Sequence, residues 1–329
     1  MRRLFLFFIN VVAASLCAQP IRLSPNGMTA VTLTPQSRII VTDVKSGRLL
    51  YPERRVENLE VQSVTSLAVS DLGDWVAIAA GGMLPKLIRM TSGNESSLAI
   101  PRSHAAVVFV NLSEKADFLV GKTETGGLVS WETANGRVEN ILSGAEQKME
   151  SPGPFVILPG NFKYVVDAPQ NRRSFEFPQL VTVTGQPGLV RTQTMSEFTT
   201  PLKHVRDLAT SFDGKSFVVA ESGAVTLIRT AEDGKPETIR IENSKESTAE
   251  VLAVALSYFG ERLAVLLRHK LLVYELSKEG NYSYEVALPS KAQNASVRFH
   301  SNDTVAFVAE GMNEPRVIKV GTCSAEIVE

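Results

Sequence analysis

Several features that would point to a common functional class are scarce in this sequence. The chain of 329 residues has only two cysteines and four histidines, so disulfides cannot define a fold of this size. Lysine and arginine (34) balance aspartate and glutamate (35), and the absence of a basic excess argues against a nucleic-acid partner. No segment keeps an apolar period of 3.6 over about a dozen residues, so we expect few helices.

The N-terminus has the layout of a secretory signal peptide over residues 1–18. Two arginines precede an apolar run from Leu4 to Leu16, and Ala18 supplies a small residue at the expected cleavage point. The apolar run is shorter than the ~20 residues that cross a bilayer, so we expect no membrane span after cleavage. A membrane anchor and a twin-arginine export signal are the alternatives. The prediction is a secreted or periplasmic protein whose remaining thiol is Cys323.

The rest of the chain repeats one pattern of short apolar segments separated by polar turns. Each copy has a strand-length apolar segment, a turn rich in Ser, Gly, Asn or Asp, and further apolar segments. The first residues of successive turns are 43 to 52 positions apart. The turns begin at Ser24, Ser70, Ser113, Pro159, Ser211, Ser257 and His300.

This period predicts an all-β fold, a seven-bladed β-propeller of four-stranded antiparallel blades. A four-stranded blade buries its faces only by stacking on neighbours, and periods of about 40–45 residues are typical of such folds. A two-sheet sandwich is the alternative. We predict a single domain over residues 19–329, with blades at about 19–60, 61–102, 103–147, 148–202, 203–246, 247–291 and 292–329.

Two segments resemble blades of the WD40 type. The turn 211–215 with the apolar run after it, and the segment 128–136, which contains Trp131 followed by Glu132, are similar to the first turn and the third-strand end of such blades. His104 precedes Trp131 by 27 residues, similar to the Gly-His to Trp-Asp separation of that family. The chain therefore resembles the WD40-like or YVTN-like exported propellers, which implies a propeller fold.

The sequence shows no recognisable set of catalytic residues. The four histidines lie in different copies, whereas a zinc or iron site needs three convergent ligands. No Gly-x-Ser-x-Gly elbow is present. We therefore predict no catalytic residues, no metal and no cofactor. The alternative is a propeller enzyme of the lactonase-like or quinoprotein-like kind, because segment 43–47 resembles the Asp-x-x-Thr-Gly motif of quinoprotein blades.

The architecture favours a non-catalytic binding or scaffold function, because loops at one end of a propeller form a composite surface. Phe109, Phe155, Arg206 and Asp207 come where the inner strands begin, and we predict that they bind a protein or a cell-envelope component. In the alternative interpretation, the two phenylalanines belong to the core between blades. Arg206 and Asp207 would then form a solvated pair on the rim.

The fourth copy is the longest, with a spacing of 52 residues between turns. It contains Arg172, Arg173 and the polar stretch 192–200. Long connections in compact repeat folds are usually functional or disordered. We therefore predict that an insertion with the two arginines forms part of the partner-binding face. On this hypothesis, deletion of 192–200 leaves the unfolding midpoint nearly unchanged.

Overall fold

The structure is a computed structural model that describes most of the chain after the N-terminal segment. The described residues are 20–100, 105–142, 154–157, 164–167, 179–182, 192–194, 205–221, 224–230, 236–242, 250–277, 280–288, 295–309, 312, 314–320 and 325–327. The predicted signal peptide, 1–18, lies outside this part of the chain, as do Arg172 and Arg173.

The described residues form seven four-stranded antiparallel sheets, each made of consecutive strands. The first has β1 (Ile21–Leu23), β2 (Thr29–Leu33), β3 (Arg38–Asp43) and β4 (Arg54–Arg55). The second has β5 (Val64–Val69), β6 (Trp75–Ala80), β7 (Lys86–Arg89) and β8 (Glu95–Ser97). The third has β9 (Val107–Leu112), β10 (Phe118–Thr123), β11 (Leu128–Glu132) and β12 (Val138–Leu142). The fourth has β13 (Phe155–Ile157), β14 (Tyr164–Asp167), β15 (Gln179–Thr182) and β16 (Thr192–Thr194).

The last three sheets follow the same plan. The fifth has β17 (Asp207–Thr210), β18 (Ser216–Ala220), β19 (Ala224–Thr230) and β20 (Pro236–Glu242). The sixth has β21 (Val251–Leu256), β22 (Arg262–Leu267), β23 (Lys270–Ser277) and β24 (Gly280–Ala287). The seventh has β25 (Ala295–Phe299), β26 (Thr304–Ala309), β27 (Arg316–Val320) and β28 (Ala325–Ile327).

The prediction of an all-β chain of four-stranded antiparallel sheets is confirmed. Among the described residues, the only helix is one 3-10 turn, Val61–Ser63. No helix in this part of the chain has the length and apolar character needed to cross a membrane. The prediction that residues 192–200 form a dispensable insertion is partly wrong. Thr192–Thr194 is strand β16, which pairs with β15. Deleting 192–200 would remove an edge strand, so the expected neutral effect on unfolding no longer holds.

A buried serine explains why the turn after the first strand recurs. The hydroxyl of Ser70 accepts a hydrogen bond from the backbone N–H of Trp75 at 3.1 Å, which ties the two ends of the turn together. Gly73 in this turn has φ +71°, a conformation that glycine adopts without strain. The same serine bond, at 3.0–3.1 Å, occurs in the turns that begin at Ser24, Ser113, Ser211 and Ser257.

The apolar core lies between neighbouring sheets. Alternate residues of the strands point into these spaces, as in the cluster that contains Val41 of the first sheet and Leu67 and Val76 of the second. Comparable clusters join the second to the third sheet, the third to the fourth, the fifth to the sixth and the sixth to the seventh. A further cluster joins the seventh to the first, through Ala306 and Leu23. The first strands therefore pack in a cyclic order around a common axis.

The turns after the first strands also contact one another. The Asn26 N–H donates to Asp71 Oδ1 at 2.9 Å, and the Phe212 N–H donates to the Tyr258 carbonyl at 3.0 Å. His300 Nδ1 lies 3.3 Å from the Asn26 carbonyl and links the last turn to the first. Each of these contacts joins turns of adjacent sheets, which fixes one end of the axis.

We expect Asp71→Asn to change how stability depends on pH. Burial raises the pKa of Asp71 to about 6, and the charge of Glu114 also raises it. The hydrogen bond from the Asn26 N–H has a smaller, opposite effect. Because the folded-state pKa is above the unfolded value of 3.8, this group stabilises the fold below about pH 4, and that contribution is lost as the pH rises through about 6. Urea unfolding between pH 4 and 7 should show a smaller fall in the free energy of unfolding for the variant. An identical fall in both proteins would contradict this role.

Candidate functional site

The starts of the first strands surround the mouth of an axial channel. A cavity of about 440 Å³ lies there, and every one of the seven sheets contributes to its lining. One lining residue from each sheet is Ile21, Thr65, Asn111, Phe155, Asp207, Leu252 and Ala295. The walls combine aliphatic and aromatic side chains with a few polar groups, a composition suited to binding.

The structure brings together four of the six residues predicted from the sequence. Phe109, Phe155, Arg206 and Asp207 all line this mouth cavity, although they come from three different sheets. Arg172 and Arg173 lie outside the described residues. The four residues therefore share one location, and their role in binding stays a prediction.

The two phenylalanines also pack between sheets. Phe155 is only 4% exposed and belongs to a cluster with Val120 and Leu128 of the third sheet, and Phe109 packs against the same cluster. This is the packing that the alternative interpretation assigned to them. Each ring thus stabilises the contact between two sheets and contributes an edge to the cavity.

Arg206 and Asp207 do not form the solvated pair of the alternative interpretation. Arg206 Nη2 lies 2.9 Å from Glu250 Oε1, and Glu250 also pairs with Arg268. Asp207 is buried, and its Oδ2 accepts a hydrogen bond from the Val254 N–H of the next sheet at 2.9 Å. The arginine is therefore a rim residue within a charge network, whereas the aspartate holds two sheets together.

Similar hydrogen bonds connect other first strands. The Val110 N–H donates to Ser66 Oγ at 3.2 Å, and Asn111 Nδ2 donates to the Phe155 carbonyl at 2.9 Å. The Leu23 N–H donates to Ser296 Oγ at 3.2 Å, which connects the first sheet to the last across 273 positions of sequence. These bonds satisfy buried polar groups and hold the wall of the channel in one arrangement.

A second cavity of about 100 Å³ lies further along the channel, toward the turns. It shares Arg22, Asn111, Phe155 and Asp207 with the mouth cavity. Every sheet contributes one residue to its lining at the same position of the repeat, two residues before the turn begins. These seven channel-ring residues are Arg22, Ala68, Asn111, Ile157, Ala209, Ala255 and Arg298.

The two arginines of this ring were missed by sequence reasoning. Burial lowers the pKa of Arg298 to about 10, Arg22 lowers it as well, and Asp207 opposes this shift. Arg298 Nη1 donates to the Val297 carbonyl at 2.8 Å. A signal was present, because each arginine is a charged residue between two apolar residues of a first strand, at a position where three other copies have alanine.

An exposed aromatic group at the turn end of the axis was also missed. The rings of Phe212 and Tyr258 are stacked, with centroids 4.2 Å apart, and Phe259 meets Tyr258 edge to face at 4.8 Å. All three side chains are exposed. The signal is the place of Phe212 and Tyr258 directly after the turn serines, where other copies have Pro25, Asp71 and Glu114.

The described residues contain no group of three or more His, Cys, Asp or Glu side chains that could hold a metal. His104, His204 and Cys323 lie outside the described residues. The turns at Gly82 and Gly126 lead from one strand to the next in a sheet, with φ +74° and +81°, as expected for hairpins.

Comparison with solved structures places the fold among β-propellers. The β-propeller domain of Cps50 (Swd1) from Myceliophteria thermophila is similar with a TM-score of 0.65 and 12% identity, over 93% of this chain and 97% of that one. Hydrazine synthase from Kuenenia stuttgartiensis is similar with a TM-score of 0.63 and 14% identity, over 96% of this chain and 99% of that one. No protein-family model and no curated protein sequence matches the chain. At these identities the likeness shows the β-propeller fold.

Proposed function

We propose that the protein is an exported, non-catalytic binding or scaffold module that binds its partner over the mouth of the axial channel. The observation that carries this proposal is the mouth cavity, to which every sheet contributes. A surface assembled from seven rigid sheets presents many side chains without a large ordering cost on binding. The partner is a protein or a cell-envelope component.

The proposal includes a ring of seven blades. The cyclic packing of the first strands and the hydrogen bond between Leu23 and Ser296 support it, because they join the first sheet to the last. Export rests on the N-terminal pattern of residues 1–18. Arg172 and Arg173 are proposed to extend the binding face from the fourth sheet.

The side chains at the mouth fit a protein partner. Aromatic residues and arginine are enriched where binding energy concentrates, and Phe109, Phe155 and Arg206 supply both kinds of side chain. The side chain of Arg206 is 50% exposed at the rim. It is placed to pair with an acidic partner residue, while the partly exposed ring of Phe109 and the exposed edge of Phe155 offer apolar contact.

Thr65→Trp should block the mouth without disturbing the core, because Thr65 is exposed and lines the cavity. We expect proteins that co-purify with the full chain from a cell-envelope extract to be lost with this variant, as measured by quantitative mass spectrometry. Thr91→Trp is the matched control, since Thr91 is exposed and does not line the mouth. Equal capture by both variants and the unchanged chain would overturn the proposal.

A further inference from the structure

The channel ring places two arginines side by side inside the axial channel. We propose that the channel binds a small oxyanion, a carboxylate or a phosphate group, between Arg22 and Arg298. This site goes beyond the proposed binding surface at the mouth, because it lies deeper in the channel and takes a small ligand. It stands whether or not a larger partner covers the mouth.

The position of the two arginines follows from the packing of the first sheet on the last. Arg22 lies in β1 and Arg298 in β25, strands that contact each other, and both residues come two positions before a turn. The two guanidinium groups therefore reach the same level of the channel. Three other ring positions are alanines, Ala68, Ala209 and Ala255, whose short side chains take up little of the second cavity.

The arginines have few hydrogen-bond partners of their own. Within the described residues, the Arg22 side chain has no hydrogen bond or ion pair, and the Arg298 side chain donates one bond, from Nη1 to the Val297 carbonyl. The only buried side-chain nitrogen or oxygen without a partner in this part of the chain is Arg54 Nε. The other N–H groups of Arg298 are therefore not fully buried, and because Arg298 lines the second cavity they can donate to a ligand there.

The charges that face the channel leave a positive excess for the ligand. Asp207 is the only carboxylate that lines the two cavities, and one of its oxygens already accepts the Val254 N–H. Its single negative charge is outnumbered by the two positive charges of Arg22 and Arg298. Arg206 does not add to the excess, because it pairs with Glu250 at the rim. The planar fork of an arginine matches the two oxygens of a carboxylate or phosphate, and burial strengthens the attraction.

The test is calorimetric titration of the full chain with inorganic phosphate and, in a second arm, with acetate. The heat of binding in each arm is compared with that of a chloride titration at equal ionic strength. We expect binding of at least one oxyanion, and a loss of affinity of about tenfold or more in Arg22→Gln and in Arg298→Gln, because each removes a charge-assisted hydrogen bond. The arm that gives the tighter binding identifies the group as phosphate or carboxylate.

Arg38→Gln is the matched control, because it removes the same charge from an exposed side chain that pairs with Glu53 outside the channel. Binding of neither oxyanion to the unchanged chain, or equal loss in the control, would overturn the proposal. Far-UV circular dichroism verifies that each variant is folded. Should both channel variants fail to fold, crystals of the unchanged chain soaked in selenate decide: an anomalous peak between Arg22 and Arg298 supports the site, and its absence there overturns it.

Discussion

Replacing Trp131 with alanine is expected to lower the free energy of unfolding by about 3–5 kcal/mol. The ring is fully buried between the second and third sheets, and its Nε1 donates to the Ala99 carbonyl at 2.9 Å. It packs so closely over Gly121 that a Cβ there would lie 2.9 Å from Trp131 Cζ3. The variant leaves a large cavity that the two rigid sheets cannot fill, and it leaves the Ala99 carbonyl without its donor.

Urea unfolding followed by far-UV circular dichroism measures this loss, with Trp75→Ala as the control. Trp75 is the other tryptophan of the chain; its ring is half-buried, and Arg89 Cζ lies 5.5 Å from the ring centroid. Its removal should cost only about 1–2 kcal/mol, the sum of partial burial and an exposed cation–π contact. A loss in Trp131→Ala no larger than in Trp75→Ala would contradict the assignment of Trp131 to the inter-sheet core.

Gly73→Ala is expected to lower the free energy of unfolding by about 2–4 kcal/mol, from two separate causes. Gly73 has φ +71°, which strains any residue with a Cβ. The new Cβ would also lie 2.7 Å from Val41 Cγ1 and 2.9 Å from Thr29 Cγ2 of the first sheet. These side chains belong to a packed sheet and cannot move without disturbing its contact with the second sheet.

Gly82→Ala separates the two causes, because Gly82 has nearly the same backbone angle, φ +74°, and a Cβ there would meet no atom within 4 Å. Its cost should be the backbone strain alone, about 1–2 kcal/mol. The difference between the two variants in thermal or urea unfolding then measures the crowding between the first two sheets. Equal losses would show that the turn at Gly73 is not packed against the first sheet.

The repeating unit could be predicted from the sequence because each turn is stabilised by residues close together in the chain. The buried serine at the start of the turn bonds to an N–H five positions later, and a residue with positive φ follows three positions after the serine. In the third copy Ala116 takes that place with φ 56°, so the turn form is kept without glycine. Such contacts lie within one copy, and the spacing of the copies shows them directly.

The candidate site was only partly predictable, because its key contacts join distant copies. Alignment of the turns placed Phe109, Phe155, Arg206 and Asp207 where the inner strands begin, and in the structure all four line the mouth cavity. The pairing of Arg206 with Glu250 depends on side-chain directions in two sheets, which a repeat pattern does not contain. The approach of Arg22 to Arg298 needs the first and last sheets to pack together, and one sequence gives no measure of that packing.

The hydrogen bond between Leu23 and Ser296 also has a consequence for how the chain folds. Contacts between residues 273 positions apart form only after the whole chain is available, and proteins with many distant contacts fold slowly. Until the seventh sheet has formed, one face of the first sheet and one face of the last complete sheet are bare and apolar, so incomplete chains are prone to aggregate. Folding of the last copy is thus the step that covers the two bare faces, one on the first sheet and one on the sixth.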